Sequence, residues 1–218
     1  MNTLLKALIV AGIAIGASAH ASTVTFAAAF SIAGPQSDAA AYRAAGDAAL
    51  ALPGATSAVV PQFNGLSNQA VFGGSMSDIA FRETVAFGVG AGQAGSWGLR
   101  AGVDFGNGGA VFLDGVALAY KSNDMWWAGS YGDTTQSFQF AAVPIAAGNH
   151  TLQLFGLEHC CDGAQQAQFS INGAAYQTFG TGDGLAAAVP EPESSVLMLA
   201  GLGAIGFVAR RRAKVNVG

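Results

Sequence analysis

The densest group of reactive side chains is Glu158-His159-Cys160-Cys161-Asp162-Gly163. Thiols, imidazole and carboxylates in one stretch could hold a metal or exchange disulfides. Zinc ligands, however, come as pairs two to four residues apart on two separate chain segments. No second Cys/His cluster exists, and the other histidines are His20 and His150, so no metal site is expected. Cys160 and Cys161 are the only cysteines. In a chain bound for an oxidising compartment, the only intramolecular disulfide they can form is with each other. Such a ring closes no length of chain, so it stiffens a turn rather than stabilising through loop-closure entropy. A redox or intermolecular role is the alternative.

A second chemical feature is Ser122-Asn123-Asp124-Met125-Trp126-Trp127-Ala128-Gly129-Ser130-Tyr131, a polar, glycine-flanked stretch between apolar segments. Trp126, Trp127 and Tyr131 there could stack on sugar rings. Equally, one tryptophan could cap a core. Catalytic patterns are lacking. There is no Gly-x-Ser-x-Gly elbow, His-Glu-x-x-His helix or Walker loop, and Gly88-Val89-Gly90 and Gly106-Asn107-Gly108-Gly109 do not open helices. A triad using His150 or His159, or a carboxylate pair such as Asp104 and Asp114, would have to assemble in space. No catalytic residue and no cofactor are expected.

The elements that must position these residues lie between two processing segments. Lys6, the apolar run Ala7–Ala17 and Ser18-Ala19-His20-Ala21 read as a signal peptide over 1–21, with Ala19 and Ala21 at the cleavage site. At the other end, Val189-Pro190-Glu191-Pro192-Glu193 precedes an apolar helix expected over 195–209 and then Arg210, Arg211 and Arg212. A helix from Ser194 to Ala209 reaches about 24 Å, short of a bilayer core of about 30 Å, and the arginines can snorkel to cover the difference. The basic stop places the chain end in the cytoplasm and the bulk of the protein outside it. The intervening region, 22–188, carries eleven acidic against four basic residues, a charge of −7. That balance argues against nucleic-acid binding.

Within this region the pattern is mainly β. Thr23–Phe30 alternates as a strand, and Ser37–Leu52 reads as one short helix interrupted by Gly46 and ended by Pro53-Gly54. Short apolar segments then recur about every ten residues: 57–63, 78–89, 95–104, 110–118, 137–143, 150–156 and 166–171. Many short strands with glycine turns predict an antiparallel β-sandwich. Asp114-Gly115, between two apolar arms, suits a type I′ hairpin.

The C-terminal residues carry a family resemblance. Val189-Pro190-Glu191-Pro192, the Gly201-Leu202-Gly203 helix and the Arg210–Arg212 cluster resemble the PEP-CTERM sorting signal of exopolysaccharide-producing Gram-negative bacteria, here covering 189–214. The resemblance implies that an exosortase recognises the tail and cleaves near the Pro-Glu-Pro, after signal peptidase has acted at the other end. The protein would then be anchored transiently in the inner membrane before reaching the cell surface or matrix. Cys160-Cys161-Asp162-Gly163, followed by Phe169, Asn172-Gly173 and that tail, is similar to the CCXG group of these proteins.

A second resemblance spans about ninety residues. Ile79–Gly90, Gly95-Ser96-Trp97-Gly98-Leu99-Arg100, Asp104-Phe105-Gly106, Phe112-Leu113-Asp114-Gly115 and Ala147-Gly148-Asn149-His150-Thr151-Leu152 are similar in order to PA14-type modules. The fold this implies is a jelly-roll or PA14-like sandwich. Adhesin lectins of that type hold calcium with a paired Asp-Asp motif; Phe105 stands in the second position, so those ligands are not carried over. The function expected is a structural, adhesive or exopolysaccharide-associated role outside the cell. The alternative is a lectin-like module using Trp126, Trp127 and Tyr131, with a secreted hydrolase as the remote one.

Overall fold

A computed structural model describes residues 22–186. The expected signal peptide, with Ala19 and Ala21, and the sorting tail from Val189 onward lie outside the described residues. No described helix is long and apolar enough to cross a membrane.

The chain folds as an antiparallel β-sandwich with one helix on its outside. Its strands in order are β1 (Thr23–Phe30), β2 (Thr56–Val60), β3 (Asn64–Leu66), β4 (Ser77–Val89), β5 (Gly95–Gly102), β6 (Asp104–Phe105), β7 (Gly109–Leu113), β8 (Val116–Lys121), β9 (Met125–Trp126), β10 (Ser137–Ile145), β11 (Gly148–Cys160), β12 (Gln165–Ile171) and β13 (Gln177–Thr178). Among the described residues there are two helices, α1 (Ala39–Leu50) and α2 (Asn68–Phe72). One sheet has the order β2-β1-β4-β11-β7-β8; the other runs β10-β5-β12-β13, with β3 also on β12. A short β6-β9 ribbon lies apart from both.

Alternation explains the core. Phe81, Val85 and Phe87 of β4, Leu152 and Leu154 of β11, and Trp97 and Leu99 of β5 belong to one buried cluster between the sheets. The other face of the first sheet is covered by α1, where Tyr42 and Ala49 meet Phe112, Phe155 and Leu157. Asp38 caps α1 by accepting from the Ala41 amide. The helix runs straight through Gly46 instead of breaking there. A Cβ at that position would lie 2.9 Å from the Phe155 ring, so glycine lets the helix approach the sheet.

Two further expectations change. The segment 95–104 is two strands, because the chain leaves β5 after Gly102 and Asp104-Phe105 pairs with β9 instead. The strand expected over 150–156 runs from Gly148 to Cys160, so the cysteines end a long strand. The hairpin at Asp114-Gly115 has positive φ at both residues, 50° and 78°, as a type I′ turn requires. Thr23 pairs with Ala86 and Ala186 bridges Gly88, so the described chain begins and ends at the same end of β4. Cys160 pairs with Ser77 at its opposite end, roughly 30–37 Å away at the rise of a strand.

Candidate functional site

The aromatic segment between β8 and β10 is tied at its base. Lys121 Nζ donates to the carbonyls of Thr134 and Ser137, and the Asp133 carboxylate accepts from the amide and hydroxyl of Thr135. From there the chain crosses to β6, where Asp104 pairs with Trp126 and Phe105 with Met125. Alternation then separates the neighbours: Met125 and Trp127 are buried, Met125 in the core, while Trp126 is 68% exposed. Trp127 lies over the second sheet at Gly102, where a Cβ would come within 2.2 Å of its indole. Tyr131 follows, its ring 5.4 Å from Trp127, and its hydroxyl donates to Gln166. Burial pushes the Tyr131 phenol up to about 12, so it stays a donor at neutral pH.

This segment reaches the outer face of the second sheet, which no helix among the described residues covers. Register sets Gln139, Arg100, Gln168 and Thr178 side by side across β10, β5, β12 and β13. Arg100 Nε donates to Gln168 Oε1 at 2.7 Å, and its guanidinium is held between two rings, 4.0 Å from Tyr131 and 3.9 Å from Tyr176. Gln168 Nε2 donates to the Thr178 hydroxyl, and Gln139 Nε2 to the Tyr131 carbonyl. Tyr176 is brought back over the sheet by the turn at Asn172-Gly173, and its hydroxyl lies where a Cβ of Gly98 would be. Trp126, Trp127 and Tyr131 had a sequence signal; Arg100, Tyr176 and the glutamines did not. Their signal is the alternation Gly98-x-Arg100-x-Gly102 beside Gln166-x-Gln168, which reads as a sheet face only once the register is known.

The cysteines lie at the pole away from the described ends, Thr23 and Ala186. Cys160 and Cys161 are joined as a disulfide, both exposed, across a cis peptide bond. His159 Nδ1 meets Asp78 at 2.7 Å. Beneath them are buried carboxyls. Glu158 accepts from the Gly106 amide and Asp162 from the Gln69 amide. Burial and then the neighbouring carboxylates of Glu158, Asp162 and Asp124 push Asp104 up to about 7. Burial likewise raises Glu158 and Asp162. Glu83 faces the core between Phe26 and Leu154 with neither carboxyl oxygen hydrogen-bonded, and burial holds it well above the usual carboxylate range. Among the described residues no group of three or more His, Cys, Asp and Glu is placed to hold a metal.

Both ring nitrogens of His150 have partners: Nδ1 meets Asp114 at 2.7 Å and Nε2 the Ala146 carbonyl at 2.9 Å.

Comparison with known proteins agrees at two levels. Residues 188–212 match the PEP-CTERM protein-sorting motif. This is the signal an exosortase recognises, and it marks the protein for export through a transient membrane anchor. No curated protein matches the chain. Among solved structures, it is similar to a PA14 sugar-binding domain from an RTX adhesin, at 12% identity and a TM-score of 0.52, over 78% of this chain and 99% of that one. It is also similar to the PA14 domain of the MpAFP antifreeze protein (10%, TM-score 0.48, 76% and 89%) and to the Epithelial Adhesin 6 A domain of Candida glabrata (10%, 0.49, 83% and 92%). The first of these shows the fold: a PA14-like sandwich.

Proposed function

We propose that this protein is a non-enzymatic component of the bacterial cell surface or extracellular matrix, delivered by an exosortase, whose sandwich associates with exopolysaccharide. The sorting half of this reading rests on the motif at 188–212. The binding half rests on Trp126. An indole 68% exposed at a strand position between two buried neighbours is a stacking platform offered to solvent, and a sugar face is a natural occupant. The similar domain from the RTX adhesin is a sugar-binding one, which supports the same reading.

The positions of the described ends fit it. Thr23 and Ala186 sit at one end of β4, so a chain held by its tail in transit presents the opposite pole outward. Asp104, which pairs with Trp126, belongs to the acidic group of Glu158 and Asp162 near that outward pole. A structural or adhesive role needs no turnover, and the engaged ring nitrogens of His150 suit that assignment.

Two measurements test the two halves separately. Mass spectrometry of the cell-associated protein, with and without the host's exosortase, should show loss of the residues after the Pro-Glu-Pro only when the enzyme is present; an identical C-terminus in both strains would end the sorting reading. Titration with the host's own exopolysaccharide should quench tryptophan emission, and the change should vanish in Trp126→Ala.

A further inference from the structure

The two sheets of the sandwich are finished differently. The outer face of the first is sealed by α1 through an apolar cluster of Tyr42, Phe112, Phe155 and Leu157. The outer face of the second carries amides, hydroxyls, one cation and two tyrosine rings. Exposure follows the same division: Gln139 is exposed, Tyr176 is 38% exposed, and Arg100, Gln168 and Thr178 are half-buried.

The geometry points to this second face as a binding track for a neutral polysaccharide chain, laid across the row Gln139–Arg100–Gln168–Thr178 and flanked by the rings of Tyr131 and Tyr176, which clamp Arg100. The inference rests on the exopolysaccharide reading above and adds to it a site, a ligand class and independence from metal. Four neighbouring strands at about 4.8 Å spacing make the row about 14 Å long, enough to meet several sugar units. Amides and hydroxyls offer donors and acceptors together, which matches the hydroxyls of a sugar. The row is ordered before any ligand arrives. Arg100 is clamped by two rings and by Gln168, and Gln168 by Thr178, so little side-chain freedom is lost on binding.

Charge selects the occupant. Arg100 is one of only four basic residues in a region of charge −7. A polyanion such as a polyuronate or nucleic acid would meet one cation on this face and net repulsion from the whole domain. A neutral chain meets neither penalty. The glycines at 98 and 102 seat Tyr176 and Trp127 against the sheet, since side chains there would collide with them.

The test is retention of the full chain, in detergent, on native gels cast with laminarin, dextran or alginate, with and without EDTA. Wild-type protein should be slowed by at least one of the neutral glucans and not by alginate, and EDTA should change nothing. Tyr176→Ala should weaken retention about tenfold, as should the gentler Gln139→Ala/Thr178→Ala pair, which removes no aromatic ring. Unchanged retention in both variants, with Trp126→Ala abolishing it, would overturn this site and leave the proposed function standing. A preference for alginate would overturn the ligand class, and retention lost in EDTA would overturn the independence from metal. No retention by any of the three, nor by the host's exopolysaccharide, would overturn both readings.

Discussion

Asp114 and His150 join a hairpin turn to the strand beside it: one carboxylate oxygen of Asp114 meets Nδ1 of His150 at 2.7 Å, and the other accepts from the Thr151 amide at 2.8 Å. The Asp114 amide in turn donates to the Thr151 carbonyl. Asp114 therefore does two things, supplying φ of 50° to the turn and latching β7 to the entrance of β11. Asp114→Ala should cost about 2–3 kcal/mol, from the lost turn preference and the bonds to Thr151 and His150. Asp114→Asn keeps the turn and should cost less than about 1 kcal/mol. Urea unfolding of the two variants checks this, and equal costs would refute the latch.

The seat of Trp127 gives a second prediction. Gly102→Ala places a methyl group where the indole now lies, 2.2 Å away, so the ring must lift from the sheet. In a Trp126→Phe background the remaining tryptophans, Trp97 and Trp127, are both buried, and emission should move to the red when Gly102→Ala is added. An unshifted spectrum would mean that the sheet yields instead of the ring.

What was legible in the sequence followed from local pattern. Thr23–Phe30 is a strand at its expected bounds because alternation and β-branching agree there, and Asp114-Gly115 is a turn because only that geometry suits both residues. Gly46 misled, since its reason is the Phe155 ring, more than a hundred residues away in the chain. Asn68–Phe72 was missed because five residues carry too little periodicity, although Ser67 caps it by accepting from the Ala70 amide. For the site, aromatic content marked Trp126, Trp127 and Tyr131. Arg100 was one cation among four until β5 was paired with β10 and β12. A cross-strand row is a property of register, which three distant segments fix together.

Buried carboxyls set the pH dependence. Asp104, raised to about 7, and Glu83, Glu158 and Asp162, all raised by burial, bind protons more tightly in the folded chain than in the unfolded one. Their contribution is fully present below about pH 4 and is lost as pH rises through the folded values. Asp133, lowered by its bonds to Thr135, acts in the opposite sense and only in acid. Urea midpoints should therefore fall between pH 4.5 and pH 8, and Asp104→Asn should flatten the fall by roughly 2–4 kcal/mol. Midpoints that rise over this interval would contradict the assignment.

Glu83 has a consequence of its own. Its carboxyl sits in an apolar core with no hydrogen-bond partner, so an apolar side chain of similar length removes a desolvation cost and leaves no group unpaired. Glu83→Met should raise stability by about 1–3 kcal/mol at pH 7. Glu83→Gln should not, because it keeps a polar group without partners. A loss of stability in the methionine variant would show that the carboxyl is held by interactions that its neighbours Phe26 and Leu154 do not reveal.

The vicinal disulfide should matter little to folding. It spans adjacent residues and so removes almost no freedom from the unfolded chain. The turn it occupies is anchored independently: the Asp162 amide donates to the Met76 carbonyl at 2.8 Å, and Asp162 Oδ2 accepts from the Gln69 amide at 2.8 Å. Those bonds remain when the sulfurs are separated. Cys160→Ser/Cys161→Ser should shift the Tm by less than about 3 °C, the equivalent of under 1 kcal/mol for a chain of this size. Asp162→Ala, which strips the Gln69 amide of its acceptor, should lower it further. If the serine pair proved the more damaging change, the ring would be a structural element of the fold; if it proved silent, the selective reason for two exposed, oxidised cysteines must lie in what they contact.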